Sequence, residues 1–413
     1  MRTGDGFADV VVTAVASTTS LAPDAEKTWR FLLDGQSGIR ELDKPFVADF
    51  QSPVRIGGAL QENFDEHLSR VEMRRLAFMQ KMSVVLGRRL WESAGTPDVD
   101  TRRLMISIGL ALGSTEEIPE QYDAWKEKGL RAVSPLAVQM YMPNSPAAAV
   151  GLDRAAKAGI MSPIMGDASG AAAVSEAWRQ IVLGEADMAI CGGVETHIEA
   201  VPVASLWQAG LLSTNNDDPP GACRPFDKDR DGGVLGEAGA LLLIETEEHA
   251  KARGAPILAR VMGAAMTSDG YDAVESNPSG EDAAHAIVRA IDLAGLTPAD
   301  IDHINAHAIG TKLGDLAEAK AIAQVFGDHR PAVYAPKAAL GHSLGAAGAV
   351  EAVLTVQALR DGVVPPTLNL KDLDPEIELD VVRESPRRAD YRYAVTNSFG
   401  IGGNNVAVVF GAA

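Results

Sequence analysis

Four short segments hold the residues whose types could do chemistry: PIMGDASGAAA (163–173), NAHAIGTKLGD (305–315), PKAALGHSLGAAG (336–348) and NSFGIGGNN (397–405). Between them they supply a carboxylate, Asp167, two imidazoles, His307 and His342, and an ammonium, Lys337. Asp167 precedes a run of small residues with helical spacing. Its carboxylate is expected to cap that helix by accepting free N–H groups of the first turn, and those bonds would blunt it as a nucleophile. His307 alone reads as a buried histidine at a strand end. His303 and His307 are four apart on a strand-like run with no acidic third ligand, which argues against a metal there. Asp227, Asp229, Asp231 and Gly232 imitate the opening of a calcium loop, but the glutamate, Glu237, comes one residue early and no helix pair flanks the stretch. GIGGNN lies between strand-like segments instead of opening a helix, so it is not a dinucleotide fingerprint. No metal site and no resident cofactor are expected.

The elements that must carry these residues alternate between strand and helix, the pattern of an α/β layered fold. Residues 9–16 (DVVVTAVA) form a β-branched run, and 104–109 (LMISIG), 188–192 and 240–244 read as further strands. Residues 24–34 and 169–183 have helical spacing. The second half repeats the plan, with strands at 257–262, 301–306, 394–397 and 405–410 and a small-residue helix at 345–359. GAAAVSEAWRQIVLG in the first half compares with GAAGAVEAVLTVQALRDG in the second, which suggests an internal duplication joined near residues 250–256.

Composition excludes several classes. With 413 residues, 46% of them hydrophobic, the chain can bury one large core or two fused ones. Its apolar runs are too short to span a bilayer, and Asp5 and Asp9 beside the first run speak against a secretory signal. A cytoplasmic protein is expected. Its two cysteines, Cys191 and Cys223, are expected to be unpaired. The net charge of −19, with no Lys/Arg cluster, argues against nucleic-acid binding.

Taken together, the four segments resemble the nucleophile turn, the two histidine motifs, the lysine motif and the glycine-rich C-terminal loop of elongating β-ketoacyl-[acyl-carrier-protein] synthases. The likeness covers nearly the whole chain. RPFD (224–227), IETEEHAKARG (244–254) and VVPPTLNL (363–370) are most similar to the mycobacterial enzymes that extend meromycolate chains for mycolic acids. The resemblance implies a thiolase fold: five αβαβα layers, two duplicated halves (1–255 and 256–413) and dimerisation through a central strand. It places Asp167 where a cysteine thiolate should take the acyl group from the carrier. It makes His307 and His342 donors to a thioester oxygen as an enolate develops, with Lys337 beside them and Glu318 paired with that lysine. Thr311, Phe399, Ile401 and Leu110 fall where substrate is held. The carrier protein's phosphopantetheine would arrive with the substrate, so no cofactor is implied.

The sequence departs from the family around that same site. Asp167 replaces the cysteine, and acyl transfer to a carboxylate would give an acid anhydride, which is uphill and water-labile. A carboxylate beside two imidazoles should favour their charged forms. Ile401 stands for the gating phenylalanine, and Leu110 and Ala111 stand for a Thr-Gly pair, narrowing the pocket. Ile309 stands for a pantetheine-binding threonine, Gly233 for an aromatic and Gly210 for a carrier-docking arginine, and YDAVESNP (271–278) replaces a His-Met-Val-Ala-Pro-like stretch. These changes point first to a non-elongating partner subunit, in a homodimer or in a heterodimer with a cysteine-bearing paralogue, its contact with acyl carrier protein weakened. A malonyl-ACP decarboxylase, an acyl-chain or carrier-binding protein and a hydrolase using Asp167 are the other readings.

Overall fold

The computed structural model describes residues 8–413; Asp5 lies outside the described residues. The first β-branched run forms β1 (Val10–Thr18), and Asp24 caps α1 (Ala25–Leu33), its carboxylate accepting the Lys27 amide at 2.8 Å. Next come α2 (Phe78–Ser93), β2 (Leu104–Gly109), α3 (Ser145–Arg154), β3 (Gly159–Met161), α4 (Ser169–Val182), β4 (Met188–Glu195) and β5 (Ala238–Thr246). The second half holds β6 (Ala259–Ser268), α5 (Glu281–Leu293), β7 (His303–Asn305), α6 (Lys312–Phe326), β8 (Ala332–Tyr334) and α7 (Lys337–Leu340). It closes with α8 (Ala347–Asp361), β9 (Tyr393–Gly400) and β10 (Asn404–Ala412).

The ten strands run in the order β8-β7-β9-β10-β6-β1-β5-β4-β2-β3. Each half contributes five, in the same sequence of partners. In the first half β1 pairs antiparallel with β5, β5 antiparallel with β4, and β4 and β2 continue in parallel to β3. In the second, β6 pairs antiparallel with β10, β10 antiparallel with β9, and β9 and β7 continue in parallel to β8. Both sets meet where β1 runs antiparallel to β6, Val10 opposite Val261.

Helices α4 and α8 each touch strands of both halves and lie between them, while α2 and α3 cover the outer face of the first half and α5 that of the second. The five layers of the thiolase fold follow. The two central helices must come very close, and small residues allow it. A Cβ on Gly170 would stand 2.8 Å from the Ala349 amide, and one on Gly348 would stand 2.8 Å from the Ala171 amide. No ordinary Cβ contact is that short, so the resemblance between the two alanine-rich segments is a packing requirement.

Among the described residues, no helix is long and apolar enough to cross a membrane. Cys191 and Cys223 are both free and buried, as composition suggested.

Candidate active site

The strand carrying the first histidine is shorter than its apolar pattern. After Asn305 the chain leaves the sheet, because its backbone amides are taken by two carboxylates on the first turns of α6. Glu318 accepts the His307 amide at 2.8 Å and the Ala308 amide at 2.7 Å. Asp315 accepts Ile309 at 3.1 Å and Gly310 at 3.0 Å through one oxygen and Phe226 at 2.9 Å through the other. Spaced three apart on one helix, these two side chains act as a template for the turn. Burial pushes the carboxyl of Glu318 up to about 7 and that of Asp315 to about 6, against the amides that favour ionisation. Arg230 braces the next residues, donating to the carbonyls of Thr311 at 3.1 Å and Lys312 at 2.8 Å.

Glu318 is therefore not the carboxylate that holds the lysine. Lys337 is buried at the start of α7, and its ammonium donates to the His307 carbonyl and to the Glu351 carboxylate in short bonds. Glu351 projects from α8, the one charged side chain in an apolar run from 346 to 359. That isolated charge was the available sequence signal for its role. Burial pushes the Glu351 carboxyl up, and Lys337 opposes the shift. The calcium-loop mimic is also accounted for: Asp227 accepts the amides of Asp229, Lys371 and Asp372 at 2.8–3.0 Å, so its oxygens serve the backbone.

His342 follows α7 and is pinned by its own backbone, its amide donating to Val234 at 2.7 Å and its carbonyl accepting Gly236 at 2.8 Å. The rings of His307 and His342 lie 5.5 Å apart, edge to face, and Phe399 stands 5.7 Å from His307. The surroundings lower the pKa of both imidazoles. Burial first, then the Lys337 ammonium, hold His307 well below its ordinary value. Burial also lowers His342, although Asp167 pulls the other way. Asp167 pulls His342 toward its charged form, as its sign requires, while loss of water pulls harder the other way.

Asp167 does not cap α4. Ala168 is the residue at the cap position, and no side chain caps the helix. Gly166 makes the preceding turn with φ +57°, and a Cβ there would meet the Ile401 carbonyl at 3.0 Å, so the nucleophile turn and the C-terminal loop are packed backbone to backbone. Ser169 ties that turn together, its hydroxyl accepting Met165 at 2.8 Å and donating to Gly166 at 2.6 Å. The Asp167 side chain is left to face the histidines. One carboxylate oxygen stands 3.5 Å from His342 Nε2, a long polar contact.

Asp167, His307 and His342 line a single cavity of about 410 Å³. Thr311, Phe399 and Ile401 line it too, as do Ile309, Gly210, Gly233 and residues 274–276. Leu110 does not. It is fully buried behind the nucleophile turn, its amide donating to Pro163 at 3.4 Å, and the adjacent Ala111 amide is held by Glu195, which also meets His197. The bulk at 110–111 therefore packs against the scaffold and makes no contact with this cavity.

Two family models match: Beta-ketoacyl synthase, N-terminal domain, over residues 8–250, and Beta-ketoacyl synthase, C-terminal domain, over residues 258–371. This chain belongs to the β-ketoacyl synthase family. It is 66% identical over 410 residues to 3-oxoacyl-[acyl-carrier-protein] synthase 2 of Mycobacterium tuberculosis, covering 99% of this chain and 98% of that one. Among solved structures, the ishigamide ketosynthase/chain length factor superposes with a TM-score of 0.91 at 28% identity, covering 99% of this chain and 100% of that chain. A β-ketoacyl synthase from Burkholderia phymatum STM815 superposes with a TM-score of 0.91 at 30% identity, covering 98% and 100%. The ketosynthase scaffold thus extends over nearly the entire sequence.

Proposed function

We propose that this chain is a non-elongating member of a type II fatty-acid or mycolic-acid synthase, acting as an auxiliary subunit that shapes the product of a cysteine-bearing ketosynthase. The observation that carries the reading is the Asp167 carboxylate, which points into the cavity 3.5 Å from His342. Attack on a carrier thioester from that position would release the thiol and leave an acyl-carboxyl anhydride, a product higher in energy than the thioester it came from. Pairing with a second chain is favoured by β3, which ends the sheet with a free edge and exposed Ile160 and Met161, with Ile164 just beyond. The halves divide at residues 255 and 256, and the working place is the cytoplasm. The loss of a docking arginine at Gly210 and the net charge of −19 both weaken contact with an acidic carrier protein.

A second reading rests on the adjacent imidazoles. They could donate hydrogen bonds to the thioester oxygen of malonyl-ACP while its terminal carboxylate leaves as carbon dioxide, after which the enolate takes up a proton to give acetyl-ACP. One experiment separates the two: carbon dioxide release and chain extension, measured for this chain alone, for a cysteine-bearing paralogue alone and for the mixture. The auxiliary reading predicts no release from this chain alone and an altered product length in the mixture. Release by this chain alone supports the decarboxylase, and a product unchanged by its presence removes the auxiliary role.

A further inference from the structure

Asp167, His307 and His342 are remote in sequence, yet one ligand atom from each lies within 4.8 Å of the other two, and all three residues are buried. No other such triad of His, Cys, Asp or Glu occurs among the described residues. We propose that these three side chains bind a divalent first-row transition ion of the zinc class, with an open fourth position facing the cavity.

Donors about 2.1 Å from a tetrahedral zinc stand about 3.4 Å from one another. His342 Nε2 and Asp167 Oδ2 are already 3.5 Å apart. The other donor separations are no longer than 4.8 Å. A second observation points the same way. His342 Nδ1 is buried without a hydrogen-bond partner, and Nε2 faces the Asp167 carboxylate at 3.5 Å, too long for a strong hydrogen bond but short enough for a shared cation. The donor set of two nitrogens and one carboxylate oxygen suits zinc or its neighbours and is too poor in oxygen for calcium or magnesium. Three protein ligands with a fourth position open to a cavity is the arrangement of zinc sites that hold water or substrate.

Lys337 acts against the ion, its ammonium lying 3.5 Å from His307 Nδ1. Its charge is matched by Glu351, which leaves the Asp167 carboxylate unmatched by any fixed cation at the triad. The spacing argument against a metal at His303 and His307 still holds for His303, whose Nδ1 is engaged by the Ala332 carbonyl at 2.7 Å. What the spacing could not show is that the third ligand arrives from the other half of the chain.

The test uses the full chain, stripped with chelator and titrated with Zn²⁺ against a chromophoric competitor and with Co²⁺ in the visible range. One ion per chain is expected, with the d–d absorption of tetrahedral Co²⁺, no thiolate charge-transfer band, and a melting temperature raised by Zn²⁺. Asp167→Asn and His342→Ala should each weaken binding by more than about 100-fold, the upper end of what even residues behind the ligands cost. The exposed His285→Ala should leave it unchanged. Undiminished binding by folded Asp167→Asn and His342→Ala proteins would overturn the proposal. Should either variant fail to fold, the unaltered chain decides: an octahedral Co²⁺ spectrum with no thermal shift refutes the site.

Discussion

Two carboxylates flank the histidines, one from each half of the molecule, and they do opposite work: Glu318 holds the His307 backbone, and Asp167 faces the His342 ring. Glu318, from the C-terminal half, accepts two backbone amides and an Asn397 side chain at 3.3 Å, and so is spent on holding His307 in place. Asp167, from the N-terminal half, makes no capping bond and faces the cavity. The C-terminal half thus holds His307 and Lys337 through Glu318 and Glu351, while the N-terminal half delivers a carboxylate that faces the cavity. The contrast teaches that a site's supporting bonds and its reacting atom can be altered separately, since none of those supports runs through residue 167.

This contrast can be broken by experiment. The largest effect is expected from Lys337→Ala, which leaves the Glu351 carboxylate buried without its partner and should cost about 3–5 kcal/mol in chemical denaturation. A double Lys337→Met/Glu351→Leu change should recover much of that loss.

Next comes acid. His303 is fully buried, with its Nε2 unpartnered, and burial lowers its pKa from 6.5 to about 4. Between those values the unfolded chain binds the extra proton and the folded chain does not. Stability is therefore complete above pH 6.5 and falls as the pH drops toward 4, by about 3 kcal/mol from this group. His303→Phe should flatten that part of the pH–stability curve.

Glu318→Ala should cost about 2–3 kcal/mol, because the amides of His307 and Ala308 lose their acceptors in a dry setting. Asp167→Ala sharpens the comparison from the other side. It removes a buried charge with no structural bond and should change stability by less than about 1 kcal/mol, or raise it. Equal losses from Glu318→Ala and Asp167→Ala would erase the distinction between the two carboxylates.

Much of this was legible in the residues. The β-branched run at 9–16, the strand at 104–109 and the small-residue helices at 169–183 and 345–359 appear where periodicity placed them, within a residue or two at most ends. Asp167 was misread as a cap because propensity speaks to residue type near a helix start, while the cap position was decided by the Gly166 turn and its packing on the 401 loop. Glu318 was paired with Lys337 on the family resemblance, and only the fold shows that the ammonium reaches Glu351. Leu110 was assigned to the substrate channel on the family resemblance, yet it is fully buried and does not line the cavity. The charge state of the histidines was beyond the sequence, since it depends on how completely water is excluded.

The proposed auxiliary role requires that no acyl-enzyme forms at Asp167, which faces the two histidines across the cavity. Intact-protein mass spectrometry after incubation with long-chain acyl-ACP tests it most directly, with Asp167→Cys as the comparison. An unmodified mass is expected for the unaltered chain and a stable acyl adduct on the cysteine variant. An acyl adduct on the unaltered chain, or oxygen-18 from solvent water appearing in Asp167 after turnover, would contradict it.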